Sequence, residues 1–400
     1  MPPFADELDQ RLAAVREQGL YRELRRVDSV SGPRLESGGR PFLNFSSNDY
    51  LGLASHPALK AAAASAVEQF GAGAGASRLI CGSLAPFHEL EAAIAGFKKA
   101  EAALTFSTGY AAALGAIPAL VGKDDIIILD KLVHASMVDA ARLSGAKLRV
   151  FAHNDLNDLE DKLKWAEANI QHATFNPQPR RQVLIVTESV FSMDGDAAPL
   201  RGMVALKEQY GAWLMVDEAH ATGVLGEQGR GLADELGVSS RIEIQMGTLG
   251  KALGASGGFI CGRRALVDYL VNRARSFIFS TAPVPAAAAA ATAGIQIAQS
   301  AEGQERRIQL RQRVAEFQAA IGNPPPAFTS AILPVLIGDE AKTVAISAQL
   351  REQGLFVPAI RYPTVARGAA RLRITLTAAH VAADVARLVE ALGPILKHKS

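Results

Sequence analysis

Leu-Met-Val-Asp-Glu-Ala-His at 214–220, followed by Thr-Leu-Gly-Lys-Ala-Leu-Gly at 248–254, are the residues on which the reading of this chain turns. Residues 214–216 form a short apolar run that ends in Asp217. Such a run predicts a buried parallel strand that delivers a carboxylate at its carboxyl edge, where open α/β sheets keep their ligands. His220 follows three residues later. A second short strand is predicted over 242–246, and it leads through Gly247 and Thr248 to Lys251. The lysine is flanked by Gly250 and mostly small residues, so nothing bulky in the sequence crowds its amine.

A lysine on a glycine-lined loop, an aspartate at a strand end and a nearby histidine are the parts a pyridoxal 5'-phosphate site needs. The amine condenses with the cofactor aldehyde, and the acid keeps the pyridine nitrogen protonated so that the ring can accept electrons. Taken singly, each residue has a plainer meaning. A lysine among glycines is usually a solvated loop residue, and a strand-end aspartate is usually a helix cap. Asp217 and His220 as metal ligands would lack a nearby cysteine or second closely spaced histidine, so no metal is expected.

Longer motifs decide between these meanings. They are Asn-Phe-Ser-Ser-Asn-Asp-Tyr-Leu-Gly-Leu (44–53), His-Ala-Ser (134–136), Glu-Ser-Val-Phe-Ser-Met-Asp-Gly-Asp (188–196), Val-Asp-Glu-Ala-His-Ala-Thr-Gly (216–223) and Arg-Leu-Arg-Ile-Thr-Leu-Thr-Ala-Ala-His (371–380). From about residue 44 to residue 380 the chain resembles the α-oxoamine synthases, pyridoxal phosphate enzymes of the fold-type I aminotransferase class. The resemblance implies an α/β fold: a large domain with a mainly parallel sheet flanked by helices, and a smaller carboxyl-terminal α/β domain. The expected division is an amino-terminal helical arm over 1–45, a large cofactor-binding domain over 46–285 and a small domain over 286–400.

The same resemblance assigns roles. Lys251 holds the cofactor and then serves as general base; Asp217 pairs with the ring nitrogen; His220 donates to the ring oxygen; His134 stacks on the ring. Gly109, Tyr110, Ser192 and Thr248 contact the cofactor. Ser280 and Thr281 reach the phosphate held by the other subunit, which implies a homodimer with shared sites. Arg373 forms a two-pronged pair with the amino acid carboxylate, and Asn48, Thr364 and Arg22 contact substrate. The implied substrates are L-alanine and a pimeloyl thioester of coenzyme A or acyl carrier protein, with glycine and an acetyl thioester as the alternative.

The remaining sequence agrees with a soluble α/β enzyme. Four hundred residues, 49% apolar and 20% charged, suit one large and one smaller domain. A net charge of +2 from dispersed basic residues gives no nucleic-acid footprint. Two cysteines, Cys81 and Cys261, are too few for a disulfide framework or zinc site. No signal-peptide pattern opens the chain, and the alanine-rich run after Pro285 is too weakly apolar for a membrane span, so a cytoplasmic protein is expected. The glycine-rich segment at 71–82 lacks the spacing and the preceding strand of a dinucleotide fingerprint. Residues 5–26 show helical apolar spacing, strands are predicted at 331–337, 355–360 and 372–376, and a helical pattern runs from 285 to about 316.

Overall fold

The computed structural model describes residues 3–30, 32–171, 181–322 and 330–397. Its strands in chain order are β1 (Arg34–Ser37), β2 (Arg40–Asn44), β3 (Ala102–Phe106), β4 (Ile126–Asp130), β5 (Lys147–Phe151), β6 (Val183–Glu188) and β7 (Trp213–Asp217). Then follow β8 (Ile244–Thr248), β9 (Gly258–Gly262), β10 (Ile332–Gly338), β11 (Leu355–Phe356), β12 (Ala359–Ile360) and β13 (Ala370–Thr375). The large sheet has the order β3-β9-β8-β7-β6-β4-β5. Strands β5, β4, β6, β7 and β8 run parallel, and β9 is antiparallel to both of its neighbours, β8 and β3.

Largely apolar runs make β4, β6 and β7 buried on both sides, as parallel sheets require. Alternation sorts their side chains onto two cores. Ile126, Ile128, Ile185, Leu214 and Val216 join one core, and Ile127, Leu129, Leu184, Val186 and Met215 join the other. The second core is closed by the small-residue faces of helices Gly109–Leu120 and Ala135–Ser144, through Ala112, Ala113, Met137 and Ala140. Each such isoleucine or leucine contributes about 1.5–3 kcal/mol on burial. A one-residue slip of register would exchange the two faces. The consequence is a fixed edge at which Phe106, Asp130, Glu188, Asp217 and Thr248 end their strands side by side.

Two small sheets accompany the large one. β10, β13 and β12 form an antiparallel sheet, and β1, β2 and β11 form the other, with β2 and β11 parallel. The segment expected as an amino-terminal arm therefore contributes two strands to a sheet that is completed near residue 355. Within that segment the helix is Phe4–Glu17 and does not continue to Arg26. Gly19, at φ +66°, lets the Leu20 and Gly19 N–H groups turn back to the Val15 and Arg16 carbonyls and close the helix.

Two other expectations are corrected by local chemistry. The strand expected over 355–360 is two short strands in different sheets, because Pro358 between them has no N–H to continue a ladder and its carbonyl accepts from Arg373 N instead. The helical run after Pro285 breaks at Ser300. That residue ends helix Pro285–Gln299 and caps helix Ala301–Ala320 by accepting from Gly303 N. Among the described residues no helix is long and apolar enough to cross a membrane.

Candidate active site

At the carboxyl end of β3, Thr108 caps helix Gly109–Leu120, its hydroxyl accepting from Ala111 N at 3.0 Å. The first N–H groups of this twelve-residue helix face the sheet edge, and together with the helix dipole they suit an anion. β9 comes very close here. A Cβ on Gly258 would lie 2.5 Å from Gly109 N, so only glycine fits. Thr248 closes the other side, and a Cβ on Gly109 would meet Thr248 Cβ at 3.9 Å. The Thr248 hydroxyl donates to Gly257 O at 3.0 Å and accepts from Gly250 N at 3.2 Å, which shapes the turn leading to Lys251.

Lys251 Nζ lies 2.8 Å from His220 Nε2, and His220 Nδ1 lies 2.5 Å from the Tyr50 hydroxyl. Tyr50 is fully buried, and its hydroxyl also lies 3.2 Å from Asn48 Oδ1, an oxygen that accepts from both terminal nitrogens of Arg373 at 3.3 Å. Side chains from three distant parts of the sequence thus form one chain of contacts: Lys251, His220, Tyr50, Asn48, Arg373. Burial pushes the Tyr50 phenol up to about 12, so it stays protonated and can either give a proton to Nδ1 or accept one from it. Burial, reinforced by the charges of Lys251, Arg373 and His134, holds His220 well below the usual imidazole range, hence neutral.

Two acids stand beside the amine. Asp217 is buried at the end of β7 and accepts from Ala219 N at 2.8 Å. Burial raises its pKa, and the charges of Lys251 and His134 oppose the rise. Its register partner on β6 is Glu188, which accepts from His134 N at 2.6 Å. Burial and the neighbouring Asp217 push Glu188 up to about 8. Desolvation lowers Lys251 to about 8, against the pull of Asp217 and Glu188. His134 caps helix Ala135–Ser144, bonding Ser136 through Nδ1, and remains accessible to solvent. Its pKa is lowered by the protein packed around it. The Tyr110 ring meets His134 edge-on at 6.5 Å, and the Tyr110 hydroxyl donates to Asp139.

Arg371 and Arg373 lie two apart on β13, on the same face of the strand, and they are not equivalent. Arg371 is paired with Asp194. Arg373, equally buried, donates to Ser192 O at 2.7 Å, to Thr375 Oγ1 at 3.1 Å and to Asn48, and has no carboxylate partner among the described residues. A buried guanidinium satisfied only by neutral oxygens holds an uncompensated positive charge, and so invites an anion.

The remaining residues proposed from sequence lie further out. Arg22 and Thr364 meet each other, with Arg22 Nη2 3.4 Å from Thr364 Oγ1 at an exposed position. Thr281 forms an isolated bridge with Ser77 of the glycine-rich segment, and the Ser280 hydroxyl donates to Thr281 O. No contact within this chain joins that pair to Lys251 among the described residues. Sequence reasoning assigned no role to Tyr50 or Glu188, although both stand inside the quoted motifs. An aromatic or acidic residue in a motif does not announce what it faces. No cluster of three or more His, Cys, Asp or Glu among the described residues could hold a metal.

A model of the family described as aminotransferase class I and II matches residues 40–392. The chain belongs to this family. It is 47% identical over 397 residues to the 8-amino-7-oxononanoate synthase of Geobacter sulfurreducens, covering 98% of each chain. Among solved structures it is similar to serine palmitoyltransferase from S. paucimobilis with a bound PLP-myriocin aldimine, with TM-score 0.87, 29% identity and 98% of each chain covered. It is also similar to the 8-amino-7-oxononanoate synthase of Francisella tularensis, with TM-score 0.72 and 28% identity, covering 90% of this chain and 98% of the other. The fold is that of the fold-type I aminotransferases, and the resemblance seen in the sequence to α-oxoamine synthases holds.

The residues present fit pyridoxal 5'-phosphate. A partly neutral amine, a buried acid one strand away and a helix start opened by the glycine pair Gly109 and Gly258 match the aldehyde, pyridine nitrogen and phosphate of that molecule in chemistry.

Proposed function

We propose that this chain catalyses the decarboxylative condensation of L-alanine with a pimeloyl thioester, giving 8-amino-7-oxononanoate, carbon dioxide and the free thiol carrier, a step of biotin formation. Pyridoxal 5'-phosphate supplies the aldehyde that takes up the amino acid and the ring that accepts its electrons. The observation that carries the reading is the buried, acid-free Arg373, linked through Asn48, Tyr50 and His220 to Lys251. It supports a reading in which a carboxylate receptor and a base share one connected framework.

Thr108, Gly109 and Thr248 hold the cofactor phosphate from one subunit, and Ser280 and Thr281 complete it from the partner in a homodimer. Asp217 keeps a negative charge against the pyridine nitrogen. His220 would turn Nε2–H toward the ring oxygen, its Nδ1 accepting from the Tyr50 hydroxyl, and His134 would stack on the ring. Arg373 holds the alanine carboxylate in two-pronged geometry, which fixes where the Cα proton points. Lys251, freed as an amine whose pKa lies near 8, removes that proton. Asn48, Arg22 and Thr364 contact substrate, and the protein works in the cytoplasm.

The test is a four-way assay of L-alanine or glycine with pimeloyl or acetyl thioester. The reading expects alanine with the pimeloyl thioester to give the highest kcat/KM. A clear preference for glycine with the acetyl thioester would keep the cofactor chemistry and overturn the substrate assignment.

A further inference from the structure

His153 lies outside the chain of contacts around Lys251, yet it joins two of the elements that build the site. Its Nδ1 is 2.9 Å from Asp130 Oδ1, at the buried end of β4, and its Nε2 is 2.8 Å from Asp196 Oδ2. Carboxylates on both ring nitrogens require both to donate, which only an imidazolium can do. Burial alone would lower the His153 pKa, but the two aspartates raise it to about 10. Asn154, in left-handed conformation, doubles the link: its N–H donates to Asp130 Oδ2 at 2.9 Å and its amide to Asp196 Oδ2 at 2.8 Å.

Asp196 closes a tight loop. Phe191 N donates to Asp196 O, Gly195 N donates to Phe191 O, and Val190 bridges Ala197. The Phe191 ring meets the imidazole edge-on at 4.3 Å. Two residues of this loop touch the arginines of β13: Asp194 pairs with Arg371, and the Ser192 carbonyl accepts from Arg373 Nε. On its far side the loop is pressed against β10, since a Cβ on Gly195 would lie 2.3 Å from Ile332 O.

We propose that His153 is a positioning residue for the amino acid: by clamping Asp196 to Asp130 it fixes the Ser192 carbonyl, and that carbonyl aims the Arg373 guanidinium at the substrate carboxylate. The inference rests on Arg373 being the carboxylate receptor. The clamp sets the direction of a fork already charged, so its loss affects amino acid binding and leaves cofactor attachment alone.

The experiment uses the cofactor-loaded enzyme and reads L-alanine binding by the change in its visible absorbance, together with the KM for the acyl thioester and the thermal midpoint. His153→Gln and the milder Asp196→Asn are both expected to weaken alanine binding about tenfold, with the thioester KM within about twofold and the visible band intact. In an Arg373→Lys background, which has no Nε to meet Ser192, His153→Gln should add little further loss. Alanine affinity unchanged in a folded Asp196→Asn protein, or alanine and thioester weakened together in step with the thermal midpoint, would overturn the proposal. Should His153→Gln fail to fold, Asp196→Asn alone decides. Arg373→Ala is measured alongside: normal alanine binding there removes the receptor reading itself, whereas weak binding there with normal binding in Asp196→Asn removes only the clamp.

Discussion

Lys251 joins two tasks in one amine, so its removal is expected to be more damaging than that of any neighbour. Lys251→Ala should lose the visible band on dialysis, and loss of the general base alone should cost on the order of 10²–10⁴-fold in turnover. Absorbance after dialysis and a steady-state assay check both. The amine also sets a pH dependence. Below about 8 it is mostly ammonium and cannot attack an aldehyde, and above that it is free. The rate at which the apoprotein takes up added cofactor should therefore rise with pH through about 8 and then level, and a rate that is flat or falling across that range in stopped-flow absorbance contradicts the lowered pKa. At Arg373, truncation to alanine removes charge and fork together and should cost about 2–5 kcal/mol of alanine binding with the cofactor still attached. Arg373→Lys should recover only part, because an ammonium is a point charge without a planar fork. Isothermal titration of the loaded enzyme with L-alanine measures both.

Among the elements, the approach of β9 to the start of helix Gly109–Leu120 is the tightest packing near the site. Gly258→Ala forces a methyl group against Gly109 N and should destabilise the fold by about 1–3 kcal/mol while weakening cofactor retention. Urea unfolding and dialysis test the two effects separately. The same elements show how much the sequence disclosed. The strand ending in Asp217 was legible because it is an unbroken apolar run ending in a charge, and Asp217, His220 and Lys251 fall within 35 positions of one another. The pairing of β2 with β11 was not legible, since two strands of five and two residues, Arg40–Asn44 and Leu355–Phe356, carry no signal of their distant partner. The difference between Arg371 and Arg373 came only through the family resemblance, not from the residues themselves. They share a strand face, and only the position of Asp194 across the gap tells which one is already paired.

For the whole molecule, the surface carries a second message. Leu79, Ile80, Phe279 and Val284 are exposed on two segments joined by the bridge between Ser77 and Thr281. Exposed apolar side chains on two adjoining segments suit a contact surface, and in the proposed homodimer they are expected to face the partner. Ile80→Glu combined with Phe279→Asp should give a monomer by sedimentation that has lost activity, whereas an active monomer would speak against shared sites.

The sheet of β1, β2 and β11 has a further meaning for the order in which the protein is made. Leu43 leaves the ribosome early, and its partner Leu355 follows only after most of the chain has been synthesised, a delay of roughly 15–60 s at about 5–20 residues per second. The loop that bears Asn48 and Tyr50 hangs from β2, and Arg373 is translated later still. A nascent chain can therefore complete the large sheet, with Asp217 in it and Lys251 just past β8, while Arg373 is missing and the loop of Asn48 and Tyr50 lacks its anchor. Polypeptides truncated before Leu355 should be catalytically silent by construction, and β2 should remain open to proteases until its late partner arrives.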